Sequence, residues 1–156
     1  MGYTSAKARP SFTFDANLEM KDAGLVAASA AATVDSAAKV LDVGTGLFEG
    51  NIVIDVTAIE VDTGNEIYSI ALEGSNDSGF SSGTEVELCM LRLGDSSTTG
   101  TDVDNVVGRY TLPFNNRQPS GTGFSDGYCW RYLRLYTTVA GTIATGINYT
   151  AWISKH

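Results

Sequence analysis

Few side chains in this sequence have the types and spacing that catalysis requires. A Ser-His-Asp triad needs a positioned imidazole, and the only histidine is His156. Two cysteines, Cys89 and Cys129, without a second histidine do not form an ordinary zinc ligand set. Both cysteines lie in strand-like runs, so we expect free thiols that pack as small hydrophobic groups. The sequence thus predicts a protein that is not an enzyme and has no cofactor or metal.

Carboxylates are the remaining candidates for chemistry. A close pair can act as acid and base, and carboxylate oxygens can bind Ca²⁺. No segment matches the calcium-loop template, and a solvated strand face or loop rim is the ordinary explanation for such pairs. Calcium binding by a loop stays open at this point. The three pairs are Glu60 with Asp62, Glu85 with Glu87, and Asp102 with Asp104.

One glycine-rich segment imitates a nucleotide-binding loop. Gly44–Gly50 follows a strand-like run, but its spacing does not match Gly-x-Gly-x-x-Gly. The helix that such a loop requires has no room before the next strand, at Ile52. We therefore predict a turn.

Charge and hydropathy exclude two classes of partner. The chain has 18 acidic and 10 basic residues, a net charge of −8, and no clustered basic patch, so we expect no nucleic-acid partner. No apolar run approaches the roughly 20 residues that span a bilayer, so we expect no membrane partner. The Ala-rich run from 23 to 34 is flanked by Glu19 and Asp22, which argues against a secretion signal.

The run from Cys129 to Ile153 concentrates large side chains on alternating positions. Two β-rich stretches are joined by a Gly- and Thr-containing connection, which predicts a hairpin with bulky residues on both faces. Such a hairpin either lies centrally in a sandwich or presents its second face to a partner. The candidate contact residues are Trp130, Tyr132, Arg134, Tyr136, Tyr149 and Trp152, together with Arg9 near the start of the chain.

Three interpretations of these aromatic residues stay open. They can pack between two sheets, which we expect for at least half of them. Arg131 and Arg134 among the aromatics favour a protein interface, because Arg, Tyr and Trp dominate binding hot spots. Alternatively, Trp130 or Trp152 forms a stacking platform for a sugar.

The elements that must position these residues are strands. With 156 residues, the chain fits one domain, and alternating apolar residues bounded by turn signals predict about eight strands in an antiparallel sandwich or barrel. The first strand is predicted over 12–18, and the small-residue segment 23–38 is predicted to be extended. Val86, Leu88 and Met90 are expected on one strand face. Residues 1–11 are predicted to form an arm.

Three features of the chain recur together in one known family: a closing strand pair, a Leu-Pro turn before it, and an earlier strand that ends in an Asp-x-Gly turn. Their positions are Arg131–Tyr136, Val139, Gly141-Thr142, Thr145-Gly146 and Ala151, then Leu112–Asn116, and Lys39–Gly44. In these features, most of which lie in its last third, the chain resembles the cement (decoration) proteins of tailed-phage capsids. The Ala/Ser segment and the loop at 94–105 depart from the family layout.

The resemblance implies a jelly-roll sandwich that self-associates as a homodimer. It also implies a structural virion protein, made in the host cytoplasm, that binds the capsid exterior and bridges major capsid protein subunits. The rival hypothesis is a carbohydrate-binding β-sandwich, either a module or the receptor-binding domain of a phage fibre. The two differ in aromatic placement, because a sugar platform needs exposed rings and a cement protein needs a flat contact surface.

Overall fold

The computed structural model describes residues 14–97, 107–118 and 128–155, which form two antiparallel sheets packed as a sandwich. The antiparallel all-β sandwich predicted from the sequence is therefore confirmed. The long strands are β7 Glu49–Ile59, β8 Ile67–Ser75, β9 Val86–Gly94, β10 Gly108–Asn115, β11 Tyr132–Ala140 and β12 Ile147–Lys155. The short strands are β1 Glu19–Lys21, β2 Leu25–Val26, β3 Ala30–Ala31, β4 Thr33–Val34, β5 Ala37–Ala38 and β6 Leu41–Asp42.

Each large sheet consists of three long strands and two short edge pieces. The first sheet has the order β1-β12-β7-β10, with β2 also paired to β12. The second sheet has the order β3-β11-β8-β9, with β6 also paired to β11. The extended small-residue segment expected at 23–38 is confirmed, because it runs along the open edge of the sandwich and supplies β2 to β5. Asp35 and Ser36, with φ of 52° and 65°, form the tight turn between β4 and β5.

The core lies between the inner faces of the two sheets. Tyr68, Ile70 and Leu72 alternate inward along β8, as the sequence predicts, and Leu133 and Leu135 do so along β11. A hydrogen bond of 2.6 Å joins the Tyr149 and Thr137 hydroxyls across the sandwich. The buried members of the core are Met20, Ala32, Phe48, Ile52, Ile54, Val56, Tyr68, Ile70, Leu72, Leu93, Phe114, Leu133, Leu135, Ile147, Tyr149, Ala151 and Ile153.

The predicted C-terminal hairpin is wrong, because its two strands belong to different sheets. β11 lies in the second sheet beside β8, and β12 lies in the first sheet beside β7. The connection between them, residues 141–146, crosses from one sheet to the other. Periodicity defines which residues share a face, but it does not define which strand is the neighbour. We call β11, this connection and β12 the C-terminal arch.

The connection of the arch is held by one carboxylate. Glu60 accepts hydrogen bonds from the backbone N–H groups of Ala144, Thr145 and Gly146 at 2.6–3.1 Å. These bonds, with that from Gly146 the strongest, lower the pKa of Glu60 to about 2. Gly141, at φ 91°, must be glycine, because a Cβ there would lie 2.0 Å from the Asn65 carbonyl oxygen.

Two further sequence expectations differ from the structure. In the strand predicted over 12–18, Ala16–Leu18 instead form a 3₁₀ turn, since the Asp15 side chain accepts a hydrogen bond from the Asn17 N–H, and β1 begins at Glu19. In β9, the register shifts where Cys89 pairs with Leu72 and Glu87 pairs with Glu73. This bulge at Leu88 turns Met90 outward, so Val86 and Met90 do not share a face as predicted.

Candidate functional site

The residues that the sequence predicts as one contact surface do not lie together, because the two strands of the arch belong to different sheets. Tyr149 is fully buried in the core, so its assignment to an interface is wrong. Burial also raises the pKa of its hydroxyl to about 12. Tyr132, Arg134 and Tyr136 lie together on the outer face of the second sheet, as their alternation predicts. The contact predicted at Arg9 lies outside the described residues.

The two tryptophans lie apart, and both are covered. Trp130 is 8% exposed and packs on Gly74, where a Cβ would lie 2.9 Å from the Trp130 Cβ. Trp152 is 6% exposed on the outer face of the first sheet, beneath the Phe14 ring at 5.7 Å and the Arg109 guanidinium at 5.0 Å. The hypothesis of a sugar platform on either tryptophan is therefore wrong, because neither ring is open to a ligand.

Arg134 is the centre of the outer face of the second sheet. Its Nε donates to the Glu73 carboxylate at 2.7 Å on the neighbouring strand. Its guanidinium lies 4.5 Å from the Phe80 ring centroid and 5.0 Å from that of Tyr136. The Arg134 and Glu73 side chains are only 17% and 15% exposed. The arginine is thus held by its own chain before any partner arrives.

Phe80 reaches Arg134 because of the loop between β8 and β9. The Asp77 carboxylate accepts hydrogen bonds from the N–H groups of Gly79 and Ser81, both at 2.9 Å. A hydrogen bond with the Ser81 side chain, followed by these two backbone bonds, lowers the pKa of Asp77. Phe80 has φ of 48°, a left-handed conformation that is uncommon for a bulky residue. The phenyl ring is only 6% exposed. Strand periodicity carries no signal for this residue, since its position depends on contacts with a distant strand.

An apolar row crosses the three long strands of the second sheet. Tyr136, Ala71 and Met90 are direct neighbours on β11, β8 and β9. Met90 is 41% exposed, a consequence of the bulge at Leu88. Polar rows flank the apolar one, with Arg134, Glu73 and Glu87 on one side and Thr138, Ser69 and Arg92 on the other. We define the contact face as Tyr132, Arg134, Tyr136, Ala71, Glu73, Glu87, Met90 and Arg92.

The contact face has the anatomy of a protein interface. Tyr, Met and Arg are enriched at interfaces, and an apolar centre with a polar rim is their usual arrangement. Its two arginines face two glutamates and the Asp95 carboxylate, which lies 3.4 Å from Arg92, so its net charge is 2 − 3 = −1, against −8 for the whole chain. A nearly neutral face reduces the repulsion that the rest of this acidic surface would impose on an acidic partner.

Of the carboxylates considered for chemistry, Glu60 has a structural role and Glu87 lies on the contact face. Glu60 is occupied by backbone N–H groups, and Asp102 with Asp104 lies outside the described residues. Cys89 and Cys129 are free thiols, as expected, and burial raises the pKa of Cys89 to about 11. Across the described ranges, no three His, Cys, Asp or Glu side chains are grouped so that they could hold a metal ion.

Comparison with known proteins gives no family for this chain: no protein-family model matches it, and neither does any curated protein. Within residues 14–97, 107–118 and 128–155, no helix is long and apolar enough to cross a membrane.

Proposed function

We propose that this protein is a structural cement protein of a tailed-phage head, which binds the outside of the shell and bridges major capsid protein subunits. The observation that carries the proposal is the contact face, in which a row of half-buried Tyr136 and Ala71 and exposed Met90 lies between polar rows. The resemblance of segments from Lys39 to Ala151 to phage cement proteins supports the same conclusion. The proposal includes a jelly-roll connectivity, no enzymatic activity and no cofactor.

The mechanism is passive binding by many copies. Each copy that bridges two capsid subunits adds burial that is lost if the subunits separate, so binding favours the intact shell by mass action. Contacts to two subunits at once raise the effective affinity without any single strong contact. A rigid contact face suits this role because little conformational entropy is lost on binding. Arg134, held between Phe80 and Glu73, supplies that rigidity.

The direct test is co-sedimentation with phage heads. The heads are prepared from the phage that encodes the chain, after the shell has expanded to its mature size. Wild-type protein should pellet with the heads, and Met90→Asp should weaken binding at least tenfold, because it places a charge at the most exposed position of the apolar row. Thr111→Asp, on the exposed outer face of β10, is the matched control and should bind as wild type does. Wild-type protein that stays in the supernatant would contradict the proposal.

Self-association is a separate part of the proposal. We expect a homodimer, which sedimentation velocity detects as a species of twice the 16.5 kDa chain mass. A strictly monomeric protein would contradict this part alone. If Met90→Asp abolishes the dimer and leaves head binding intact, the contact face joins two copies, and our assignment of the capsid to it is wrong.

A further inference from the structure

A cavity of about 420 Å³ opens at the end of the sandwich opposite the arch connection. It lies where β6 and β8 end and β11 begins, since Tyr132 pairs with both Asp42 and Ser75. Its volume falls in the range of small-molecule sites. The lining residues are Thr45, Asn76, Tyr128, Cys129, Arg131 and Tyr132.

The cavity walls are fixed by hydrogen bonds from separate segments of the chain. The Gln118 N–H donates to the Tyr128 carbonyl at 2.9 Å. The Arg131 N–H donates to the Asn76 side-chain oxygen at 3.2 Å, and the Arg131 carbonyl accepts from the Val43 N–H at 2.9 Å. The walls are therefore preorganised, which lowers the entropy that a ligand must offset.

The charges that border the cavity neutralise each other. Arg131 donates from Nε and an Nη atom to the two Asp42 carboxylate oxygens, at 3.0 and 2.8 Å. The same guanidinium lies 5.2 Å from the Tyr132 ring centroid. A charged ligand would have to compete with this bidentate pair, so the site favours a neutral one.

The remaining groups match a neutral ligand with hydroxyl groups on an apolar ring. Tyr128 is 63% exposed and offers a broad aromatic surface at the cavity edge. The Asn76 amide can donate two hydrogen bonds, and the Thr45 hydroxyl can donate or accept. An aromatic surface beside amide and hydroxyl groups suits the C–H face and the hydroxyls of a pyranose ring. We propose that this cavity, which shares only Tyr132 with the contact face, binds a neutral pyranose sugar.

The test is NMR titration of ¹⁵N-labelled full-length protein with glucose, galactose, mannose and N-acetylglucosamine in turn. At least one sugar should shift the amide resonances around Tyr128 and Asn76 with a Kd of about 1 mM. Tyr128→Ala should weaken that binding about tenfold, and Tyr128→Phe should retain it, because stacking needs the ring and not the hydroxyl. Tyr128 is exposed, so both variants should keep the thermal midpoint of the wild type.

Two results would overturn the inference: none of the four sugars shifts these resonances, or Tyr128→Ala binds the sugar as tightly as wild type. The capsid proposal is tested separately by the same proteins. Met90→Asp should bind the sugar normally and fail on phage heads, and Tyr128→Ala should do the opposite.

Discussion

Two arginines on opposite outer faces of the sandwich use the same chemistry in different surroundings. On the first sheet, Arg109 forms a bidentate pair with Asp55, at 2.7 Å for both bonds, and lies over Trp152. On the second sheet, Arg134 pairs with Glu73 and lies against two rings. The Arg109 side chain is 52% exposed, and the Arg134 side chain is 17% exposed.

Exposure to water, more than hydrogen-bond geometry, therefore determines how much each ion pair contributes to the stability of the fold. Arg109 has the better hydrogen-bond geometry, but water screens its charge, so its pair contributes little to stability. Arg134 is largely desolvated because Phe80 covers it, and removal of either charge would leave the other buried and uncompensated. We therefore interpret Arg109 as a surface contact and Arg134 as the anchor of the contact face.

Arg134→Ala should have the largest effect on stability, so it is the strongest test of this comparison. It should lower the free energy of unfolding by about 2–3 kcal/mol, below the range for a fully buried pair because Arg134 and Glu73 retain some exposure. Urea denaturation followed by tryptophan fluorescence measures the loss. The double variant Arg134→Met with Glu73→Leu should recover most of it, because both charges are then absent. A loss no greater than that of Arg109→Ala would show that the two sites do not differ.

The next largest effect should come from Phe80→Leu, which removes the ring over Arg134 and keeps an apolar side chain. We expect a loss of about 1–2 kcal/mol, the upper range of a cation–π contact shielded from water. Amide hydrogen exchange should also become faster at Gly79 and Ser81, whose N–H groups bind Asp77. Leu47→Ala, at an exposed apolar position, is the control and should leave that exchange unchanged. Unchanged exchange in Phe80→Leu would mean that the ring does not hold the loop.

Arg109→Ala should have a smaller effect, about 0.5–1 kcal/mol, because its partner Asp55 can be hydrated when the arginine is absent. The effect should shrink further in about 1 M salt, where the Debye length is near 3 Å. The loss for Arg134→Ala should change much less over the same salt range. Urea midpoints for both variants at low and high salt check the contrast, and equal salt dependence would contradict it.

The sequence predicts the inner faces of the molecule better than its outer ones. Burial on one side of a strand imposes an alternation that can be read directly, as at Tyr68, Ile70 and Leu72. The sheet partners of β11 and β12 depend on the path of the connection 141–146 that Glu60 holds, so alternation alone predicts a hairpin where the structure has the arch. β7 likewise changes phase at Thr57, because Asn148 pairs with Ala58 and Tyr149 pairs with Val56.

The contact face could be predicted only in part. Tyr132, Arg134 and Tyr136 follow from alternation along one strand, but Met90 depends on a bulge and Phe80 on a loop conformation. Neither the bulge nor the loop leaves a periodic signal, because each is determined by contacts far apart in the sequence. Tyr128 was missed for the same reason, since the cavity forms only where three strands meet.

A change at Glu60 should alter the difference in stability between the two outer faces least. The connection that Glu60 binds joins β11 to β12 and therefore supports both sheets. Its folded-state pKa of about 2 lies below the ordinary value of 4.5, so the ionised carboxylate stabilises the fold above pH 4.5. That contribution is lost as the pH falls from about 4.5 towards 2. Glu60→Gln should therefore be less stable than wild type at pH 7, and the gap should narrow on acidification.

Thermal midpoints of wild type and Glu60→Gln, measured between pH 7 and pH 2.5, check this prediction. Asp62→Asn, two residues away, is the matched control for loss of one negative charge, and its gap to wild type should not follow the same course. Combining Glu60→Gln with Arg134→Ala and with Arg109→Ala should give near-additive losses, because the carboxylate touches neither arginine. A Glu60→Gln gap that is constant with pH would mean that the bonds to 144–146 do not depend on the charge. Strong coupling to Arg134 alone would mean that the connection supports one face more than the other, and the two arginines could then no longer be compared as independent sites.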